Sequence, residues 1–572
     1  MNRHSVGLSL ALLGASSWGC SLTGLDNFEL PVCRSDDDCA EINRRNGLSD
    51  SACERYVCEE RTRSCQRRVR QSEVCDGIDN NCDGVVDEGV LAIVDNSKQT
   101  LAMGAFSSAS VASSGAGVVG IAGPPDMRIS QAPVFMSTSE TGVANAAATL
   151  QMRTTVRPAM SAAAWNTWPS TPRCSNASNT LADECTVSEA ALAPTSSMDE
   201  WFAVAIDPLQ CAAGRVRIGL VSTREGAPIF DASGPIARSN VFSVVDLDAA
   251  TQCSGASRGA SGARGAARPA IAQSTSARDT ALAAWIGAPL DRARCGGAPA
   301  TVEALGLSIE TSAMRRGVFA SNAMTAEPAP AVLGRTSGGG APAIVALPTG
   351  GWLVAFGDES GAVAVRKVEA LAAVPAWSAA MPDAARPTMP LSVGAPLLLQ
   401  RASMSASADH VSMALRVVGS RTLVAVSWVE GCGSAMGSVQ FAQLELENGA
   451  LMEKGRAELA RGVDAASTSV VPLDDRVLDR SNNAAQGGDR GGWLLSFEAA
   501  GALNAIRVSS ATTTTVDRAA VVLASPITSA RRAPLLSASA TAPASVSWHS
   551  DPEQIVRYAN VCGWNPTKPR AR

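Results

Sequence analysis

The residues whose types and spacing could do chemistry are concentrated at 73–89, in the sequence EVCDGIDNNCDGVVDEG. Residues 73–88 contain six carboxylates and two asparagines. Carboxylates this close repel one another, and the repulsion is relieved when a cation lies between them. The pattern therefore predicts a cation-binding loop.

The spacing within this segment is typical of a calcium loop. Asp79, Asn81 and Asp83 alternate, so that their side-chain oxygens can face one point, and Gly84 allows the sharp turn that follows. The carbonyl oxygen of Val85 then turns inward. This is the first half of an EF-hand-type ligand pattern.

The second half of the pattern is incomplete. Position 12 of the loop is Val90 rather than the usual glutamate, so we expect Glu88 or Asp76 to supply the missing oxygens. All of these donors are hard oxygens, which suit Ca²⁺ better than a soft ion. The predicted metal ligands are Asp76, Asp79, Asn81, Asp83, Val85, Asp87 and Glu88.

Two cysteines, Cys75 and Cys82, bracket the first turn of this loop. We predict a disulfide between them that holds the loop ready for the metal. Two other interpretations stay open. Both thiolates could bind the metal, which requires a reducing compartment, or the segment could be a disulfide-closed acidic turn that binds nothing.

The string CDGIDNNCDGVVDEG resembles the MopE-type Cys-Asp-rich metal-binding motif found in exported proteins of myxobacteria and related bacteria. The resemblance covers residues 73–89 only. It implies a metal-binding segment on an exported protein. The family is named for copper, but this motif contains no His, Trp or Met, the ligands that copper would favour. Calcium is therefore the first expectation and copper the second.

The N-terminus predicts export. Arg3 and His4 precede an apolar run at 6–15 that is too short to span a bilayer as a mature helix. Gly19 and Cys20 then resemble a bacterial lipobox, which implies a signal peptide at 1–19, a lipid on Cys20 and a tether at 20–30. The alternative is ordinary cleavage nearby, with Cys20 incidental. The expected location is the outer membrane or cell surface, with the periplasm as the alternative.

The other cysteines predict a disulfide framework. The chain has 15 cysteines and no CxxC pair, which favours disulfides over thiolate-bound zinc. Residues 31–70 form a Cys-rich module too poor in apolar residues to fold without such links. Apart from Cys20, seven cysteines precede residue 90 and seven follow it. Complete pairing would require a disulfide between the two regions, for which Cys562 is the candidate. The alternative is a free thiol in each region.

From residue 91 to 572 the sequence predicts a mainly β domain built from repeated strand pairs. An apolar strand, often with Trp, is followed by a Gly-containing turn and a second strand. The spacing from Trp352 to Leu423 and from Leu423 to Trp493 is 71 and 70 residues. Seven such units predict a seven-bladed β-propeller, with two or three β-sandwich domains as the alternative. The first strands of the units are VVGIA (118–122), WFAVAI (201–206), ALAAWI (281–286), WLVAF (352–356), LVAVSW (423–428), WLLSF (493–497) and ASVSWH (544–549).

Closure of such a ring makes a further prediction. The segment VLAIVDN (90–96) is expected to add a strand to the last blade, whose other strands come from 531–562.

Composition argues against several kinds of function. A net charge of −5 gives no basis for nucleic-acid binding. The chain has three histidines, His4, His410 and His549, which makes histidine catalysis improbable. His549 with Asp551 and Glu553 is the one plausible acid–base group, and we interpret this histidine as a packed or surface residue. The strand tryptophans are expected in the core rather than on a sugar-binding platform.

These observations predict a non-enzymatic surface lipoprotein, held to the membrane by its N-terminal lipid only. Its propeller would be a structural module or bind a protein or glycan. The alternative is a secreted propeller hydrolase that acts on glycans, using carboxylates about 5–10 Å apart.

Overall fold

The computed structural model describes residues 32–47, 55–59, 61–67 and 91–93, the strands between 99 and 244, and residues 267–561 with gaps. The chain forms two compact units, an N-terminal module and a much larger C-terminal unit.

The N-terminal module is held together by two disulfides, Cys33–Cys58 and Cys39–Cys65. Its small core consists of the bonded cysteines, against which Ile42 and Tyr56 pack. The predicted disulfides are confirmed for these four cysteines. Because little other apolar area is available for burial, we expect the module to need them to fold. Its elements are a 3-10 helix (Asp36–Cys39), α1 (Ala40–Arg45), β1 (Tyr56–Glu59) and β2 (Ser64–Arg67).

The C-terminal unit is mainly β and forms a β-propeller, as predicted. Its first strand, β3, pairs with β36 (Ile555–Asn560) near the end of the chain and not with the strands that follow it directly. The next strands form a four-stranded sheet, in the order β4-β7-β8-β9, and a two-stranded ribbon, β5-β6. These strands are β3 (Gln99–Met103), β4 (Phe106–Ser113), β5 (Val118–Gly120), β6 (Arg128–Ser130), β7 (Pro133–Ser139), β8 (Thr149–Val156) and β9 (Ala164–Thr167).

A six-stranded sheet comes next, in the order β11-β10-β15-β14-β13-β12. Its β10 and β15 run parallel, whereas all its other neighbours are antiparallel. The strands are β10 (Arg173–Ser175), β11 (Leu181–Ala182), β12 (Glu189–Pro194), β13 (Glu200–Asp207), β14 (Arg215–Ser222) and β15 (Val241–Val244).

Five regular antiparallel blades follow. Blade 1 contains β16 (Ala267–Gln273), β17 (Thr280–Gly287), β18 (Ala300–Ser312), β19 (Arg315–Ala320) and β20 (Ala331–Thr336). Blade 2 contains β21 (Ala343–Ala346), β22 (Trp352–Gly357), β23 (Val363–Ala370), β24 (Leu391–Val393) and β25 (Leu397–Leu399). Blade 3 contains β26 (Ala408–Val418), β27 (Arg421–Glu430), β28 (Ser438–Glu447) and β29 (Ala450–Arg461). Blade 4 contains β30 (Ala465–Leu473), β31 (Gly492–Ala499), β32 (Ala502–Ser509) and β33 (Val521–Ala524), and blade 5 contains β34 (Leu535–Ser539), β35 (Ala542–Ser550), β36 (Ile555–Asn560) and β3.

The blades pack face to face through apolar side chains. Trp428, for example, packs with residues of blade 2, and Trp493 packs with residues of blade 3. Central strands are therefore buried on both faces, and β22 and β31 are buried along their whole length. This explains why their sequences are continuous apolar runs rather than alternating ones. The first strands of successive blades contact one another, as a radial arrangement requires.

The predicted number of seven blades is wrong: five are identified in the part of the chain that the structure describes. Five of the seven predicted units supply the second strands of blades 1–5, namely β17, β22, β27, β31 and β35. VVGIA instead contributes to the two-stranded ribbon β5-β6, and WFAVAI lies in the sheet that contains a parallel pair. A short apolar run predicts a buried strand but does not specify its sheet.

The prediction that a segment before the first blades adds a strand to the last blade is confirmed, but the strand lies at Gln99–Met103 and not at 90–96. Strand β3 completes blade 5 by pairing with β36, from Gln99 opposite Tyr558 to Met103 opposite Ile555. Within the predicted segment 90–96, Ile93 forms a single bridge with Val561. The first and last described strands of the C-terminal unit, β3 and β36, therefore pair in one sheet.

Candidate functional site

The sequence-predicted metal loop lies outside the described residues. This applies to all of its ligands and to its two cysteines: Asp76, Asp79, Asn81, Asp83, Val85, Asp87, Glu88, Cys75 and Cys82. The lipidation residue Cys20 and the bridging candidate Cys562 also lie outside them. The chemistry of the donor set still fits a hard divalent cation, because seven oxygen donors are available within 13 residues.

The described cysteines just before the loop are not metal ligands. The sulfurs of Cys33, Cys39 and Cys65 lie within 4.8 Å of one another, but each is already bonded in a disulfide. A bonded sulfur is not a thiolate, and the thiolate is the form that binds metal. The prediction of disulfides rather than thiolate-bound zinc is confirmed for these residues.

Local hydrogen bonds order the same module. The backbone N–H groups of Arg34 and Ser35 donate to Asp38 Oδ2, at 2.6 and 3.0 Å, at the start of the 3-10 helix. These bonds hold the pKa of the Asp38 carboxyl below its usual range, because they stabilise the charged form. Asn43, which is buried, exchanges two hydrogen bonds with the backbone of Tyr56 and ties α1 to β1.

In the propeller, the described residues bring together three side chains of different chemistry. One oxygen of Asp409, one ring nitrogen of His410 and the sulfur of Cys432 lie within 4.8 Å of one another. Asp409 and His410 lie near the start of β26, and Cys432 follows the end of β27. Cys432 is disulfide-bonded. The three side chains therefore form a mixed oxygen, nitrogen and sulfur cluster, defined here as the 409/410/432 cluster.

The backbone fixes the orientation of this cluster. Asp409 is buried, and its Oδ1 accepts the N–H groups of Gly340 and His410, both at 2.8 Å. His410 has φ 46°, within an irregularity of the β26–β27 pairing between Asp409 and Ser412. Positive φ is uncommon for a residue other than glycine, and such conformations concentrate at functional sites.

Close approach between blades 2 and 3 requires glycine beside the cluster. A Cβ at Gly340 would lie 2.6 Å from the Cα of His410, and one at Gly357 would overlap the carbonyl oxygen of Ala408. The N–H of Ala408 donates to Gly361 O at 2.9 Å. The beginning of β26 is therefore held against the neighbouring blade by backbone contact.

Sequence reasoning did not identify this cluster. The available signals were the Asp409-His410 dipeptide at the start of an apolar strand and Cys432 in the Gly-rich turn EGCGSAMG. They are 22 positions apart, and only the β26–β27 hairpin brings them together.

The tryptophans whose burial is described lie in the core, as predicted. Trp285, Trp352, Trp428, Trp493 and Trp548 are each at most 4% exposed. Four of their indole N–H groups have an acceptor. Trp285 donates to Glu303 at 3.2 Å and Trp352 donates to the carbonyl of Ala272 at 3.1 Å. Trp428 donates to Glu430 at 3.0 Å and Trp493 donates to Gln443 at 2.9 Å. These side chains are buried and cannot act as an exposed sugar-binding platform.

The predicted acid–base group is only partly described. His549 lies in β35, opposite Val556 of β36, whereas Asp551 and Glu553 lie outside the described residues. Their grouping stays a prediction.

One ion pair has a clear electrostatic consequence. Arg421 Nε and Nη2 donate to Glu445 Oε1 and Oε2, at 2.6 and 2.9 Å, across β27 and β28. The guanidinium holds the pKa of the Glu445 carboxyl below its usual value, against the opposing effect of burial.

Among the residues that the structure describes, no helix has the length and apolar character needed to cross a membrane.

Comparison with known proteins gives one match to a family and several weak matches to solved structures. A fucose-specific lectin from Aleuria aurantia has a TM-score of 0.34 and 9% identity, covering 74% of this chain and 97% of the lectin. The parainfluenza virus 5 hemagglutinin-neuraminidase ectodomain has a TM-score of 0.33 and 7% identity, covering 75% and 81%. An alpha-L-arabinanase from Cellvibrio cellulosa has a TM-score of 0.25 and 11% identity, covering 57% and 94%.

TM-scores this low carry no argument, and the propeller assignment depends on the strand topology. No curated protein matches the chain. The family match is local: residues 66–88 match the profile of the Cu-binding MopE metal-binding motif. The segment that the residue chemistry predicts to bind a cation therefore lies within the residues that match this motif.

Proposed function

We propose that this protein is an exported, lipid-anchored surface protein that binds calcium through residues 76–88. Its propeller would be a structural or binding module, with a protein or a glycan as ligand. The observation that carries the proposal is the motif match at 66–88 together with an all-oxygen donor set. Hard oxygen ligands in this number favour Ca²⁺ over Cu²⁺.

The disulfides support export. Two disulfides, Cys33–Cys58 and Cys39–Cys65, lie among the described residues, and Cys432 is also disulfide-bonded. Structural disulfides persist in oxidising compartments and are rare in the cytosol. Cys20 precedes the disulfide-linked module and the metal loop in the sequence. A lipid on Cys20 would therefore attach the chain to the membrane on the N-terminal side of both.

Four of the five buried carboxylates among the described residues support a non-enzymatic role; the fifth is Glu498. Glu303 and Glu430 accept tryptophan N–H groups, Asp409 accepts two backbone N–H groups, and Glu445 is paired with arginine. Each of these carboxylates has a structural partner inside or between blades. Release of reducing ends from a panel of glycans by the purified full chain would contradict this part of the proposal.

Anchoring is tested by expressing the full chain and a Cys20→Ser variant in a bacterial host supplied with labelled fatty acid. We expect the unchanged chain to carry the label and to sediment with membranes. The variant should lose both properties. A chain that is soluble and unlabelled before the substitution would contradict lipid anchoring.

A further inference from the structure

We propose that the 409/410/432 cluster is a redox-gated site for a zinc-class divalent ion, one that opens when the disulfide of Cys432 is reduced. The proposal concerns blade 3 and is independent of the calcium loop at 76–88. Its basis is that a carboxylate oxygen, an imidazole nitrogen and a cysteine sulfur already lie within 4.8 Å of one another.

The geometry is close to what a tetrahedral ion requires. With bonds of about 2.0–2.3 Å, a tetrahedral Zn²⁺ site holds its ligand atoms roughly 3.3–3.8 Å apart. From separations of at most 4.8 Å, the three atoms need to approach one another by up to about 1.5 Å to reach that spacing. Gly431 and Gly433 flank Cys432 in the sequence, so the turn that carries the sulfur has the backbone freedom for such a shift. The fourth position would be left for water.

The backbone keeps two of the ligands in place in either redox state. Asp409 is held by the N–H groups of Gly340 and His410. His410 is directed by its left-handed conformation and by the backbone contact with Gly340. Neither constraint involves the sulfur, so reduction of the disulfide removes neither of them.

The gating step is a thiol–disulfide exchange. A dithiol reductant transfers two electrons and two protons to the disulfide of Cys432, which becomes two thiols while the reductant becomes a disulfide. The Cys432 thiol then binds the divalent ion as a thiolate and releases one proton. In the oxidised protein the sulfur is bonded to carbon and sulfur only and contributes no thiolate ligand.

The test compares Co²⁺ binding by the full chain and by His410→Asn, each in oxidised and fully reduced form under inert gas. Asn tolerates a left-handed conformation, so the substitution keeps the backbone and removes the imidazole. Both proteins share every other thiol, so their difference isolates this site. We expect the reduced wild-type chain to bind one more Co²⁺ than the reduced variant, with thiolate-to-cobalt absorption, and the oxidised pair to bind equally.

His549→Asn is the matched control, because it removes a histidine outside the cluster and should keep the wild-type stoichiometry. Circular dichroism checks folding, and Cys432→Ser serves as a second variant, expected to lose the same Co²⁺ in the reduced state. Equal Co²⁺ binding by the reduced wild type and both cluster variants would overturn the site. An equal deficit in the oxidised His410→Asn protein would overturn the redox gating.

Discussion

At the scale of single residues, two buried carboxylates of the propeller, Glu303 and Glu430, accept indole N–H groups that burial would otherwise leave unpaired. The indole N–H of Trp285 donates to Glu303, which also accepts the hydroxyl of Thr301 at 3.0 Å. Trp285 is fully buried and Glu303 is 2% exposed. A buried indole without an acceptor would lose its hydrogen bond to water with no replacement.

This role predicts losses of stability of different size for two substitutions at Glu303. Glu303→Leu leaves the indole N–H without its acceptor and should cost about 2 kcal/mol in the free energy of unfolding. Glu303→Gln keeps an amide oxygen in place and should cost less than about 1 kcal/mol. Urea denaturation followed by tryptophan fluorescence measures both, and equal destabilisation would argue against the hydrogen-bonding role.

The Arg421–Glu445 pair predicts a pH dependence. The pKa of Glu445 is lowered in the folded state, so the pair stabilises the fold above the pKa of the unfolded carboxyl. This contribution is lost as the pH falls through the lower folded value. Because Arg421 is 40% exposed, the loss in Glu445→Gln at pH 7 should be only about 1 kcal/mol.

Denaturation of wild type and Glu445→Gln at pH 7 and at pH values below the unfolded pKa measures this difference. Glu447→Gln is the control. Glu447 pairs with Lys454, but its side chain is 45% exposed, compared with 9% for Glu445, so this substitution should change the free energy of unfolding less. A difference between wild type and Glu445→Gln that persists unchanged into acid would contradict the assignment.

The sequence predicted the burial of the tryptophan side chains but not their hydrogen-bond partners. The burial of the tryptophans followed from their places in apolar strands. Their acceptors did not, because Gln443 and the Ala272 carbonyl belong to neighbouring blades. The 409/410/432 cluster was missed for the same reason, since it depends on strand pairing and on a local irregularity in β26.

At the scale of elements, glycines set how closely blades 2 and 3 approach. Gly357 ends β22 directly against the carbonyl of Ala408 in β26. Because both atoms belong to backbone, the contact cannot be relieved by a side-chain rotation.

Gly357→Ala should therefore destabilise the protein by about 2 kcal/mol, the range expected when atoms are forced into a packed contact. The control is Gly394→Ala, whose Cβ would lie 3.3 Å from the carbonyl oxygen of Lys367 and needs only a small adjustment. Thermal unfolding measures both. If the two variants unfold at the same temperature, the contact between the blades is looser than described.

Strand pairs were the part of the fold that the sequence predicted best. Apolar runs with Gly-containing turns located β17, β22, β27, β31 and β35. The number of blades was predicted wrongly because VVGIA and WFAVAI carry the same local signal in sheets of another kind. Local sequence does not encode which distant strand will be the partner.

At the scale of the whole C-terminal unit, closure joins distant parts of the chain. β3 is the outer strand of blade 5, while the other three strands of that blade lie more than 400 residues later. A chain that begins at residue 91 keeps β3, and one that begins at residue 105 lacks it.

We expect the shorter chain to be less stable by at least about 2 kcal/mol, because one edge of β36 loses its partner and becomes exposed. Its unfolding should also be less cooperative. Calorimetry of the two truncated chains measures this, and matching transitions would show that β3 does not contribute to closure.

The central claim, that residues 76–88 bind calcium, is tested most directly by calorimetric titration of the oxidised full chain with Ca²⁺ and with Cu²⁺, beside an Asp79→Ala/Asp83→Ala variant. We predict one Ca²⁺ per chain, bound with modest affinity because Val90 replaces the bidentate glutamate at position 12. The variant should lose this heat. Heat from Cu²⁺ alone that disappears in the variant would contradict the calcium assignment, and no variant-sensitive heat from either ion would contradict metal binding by the loop.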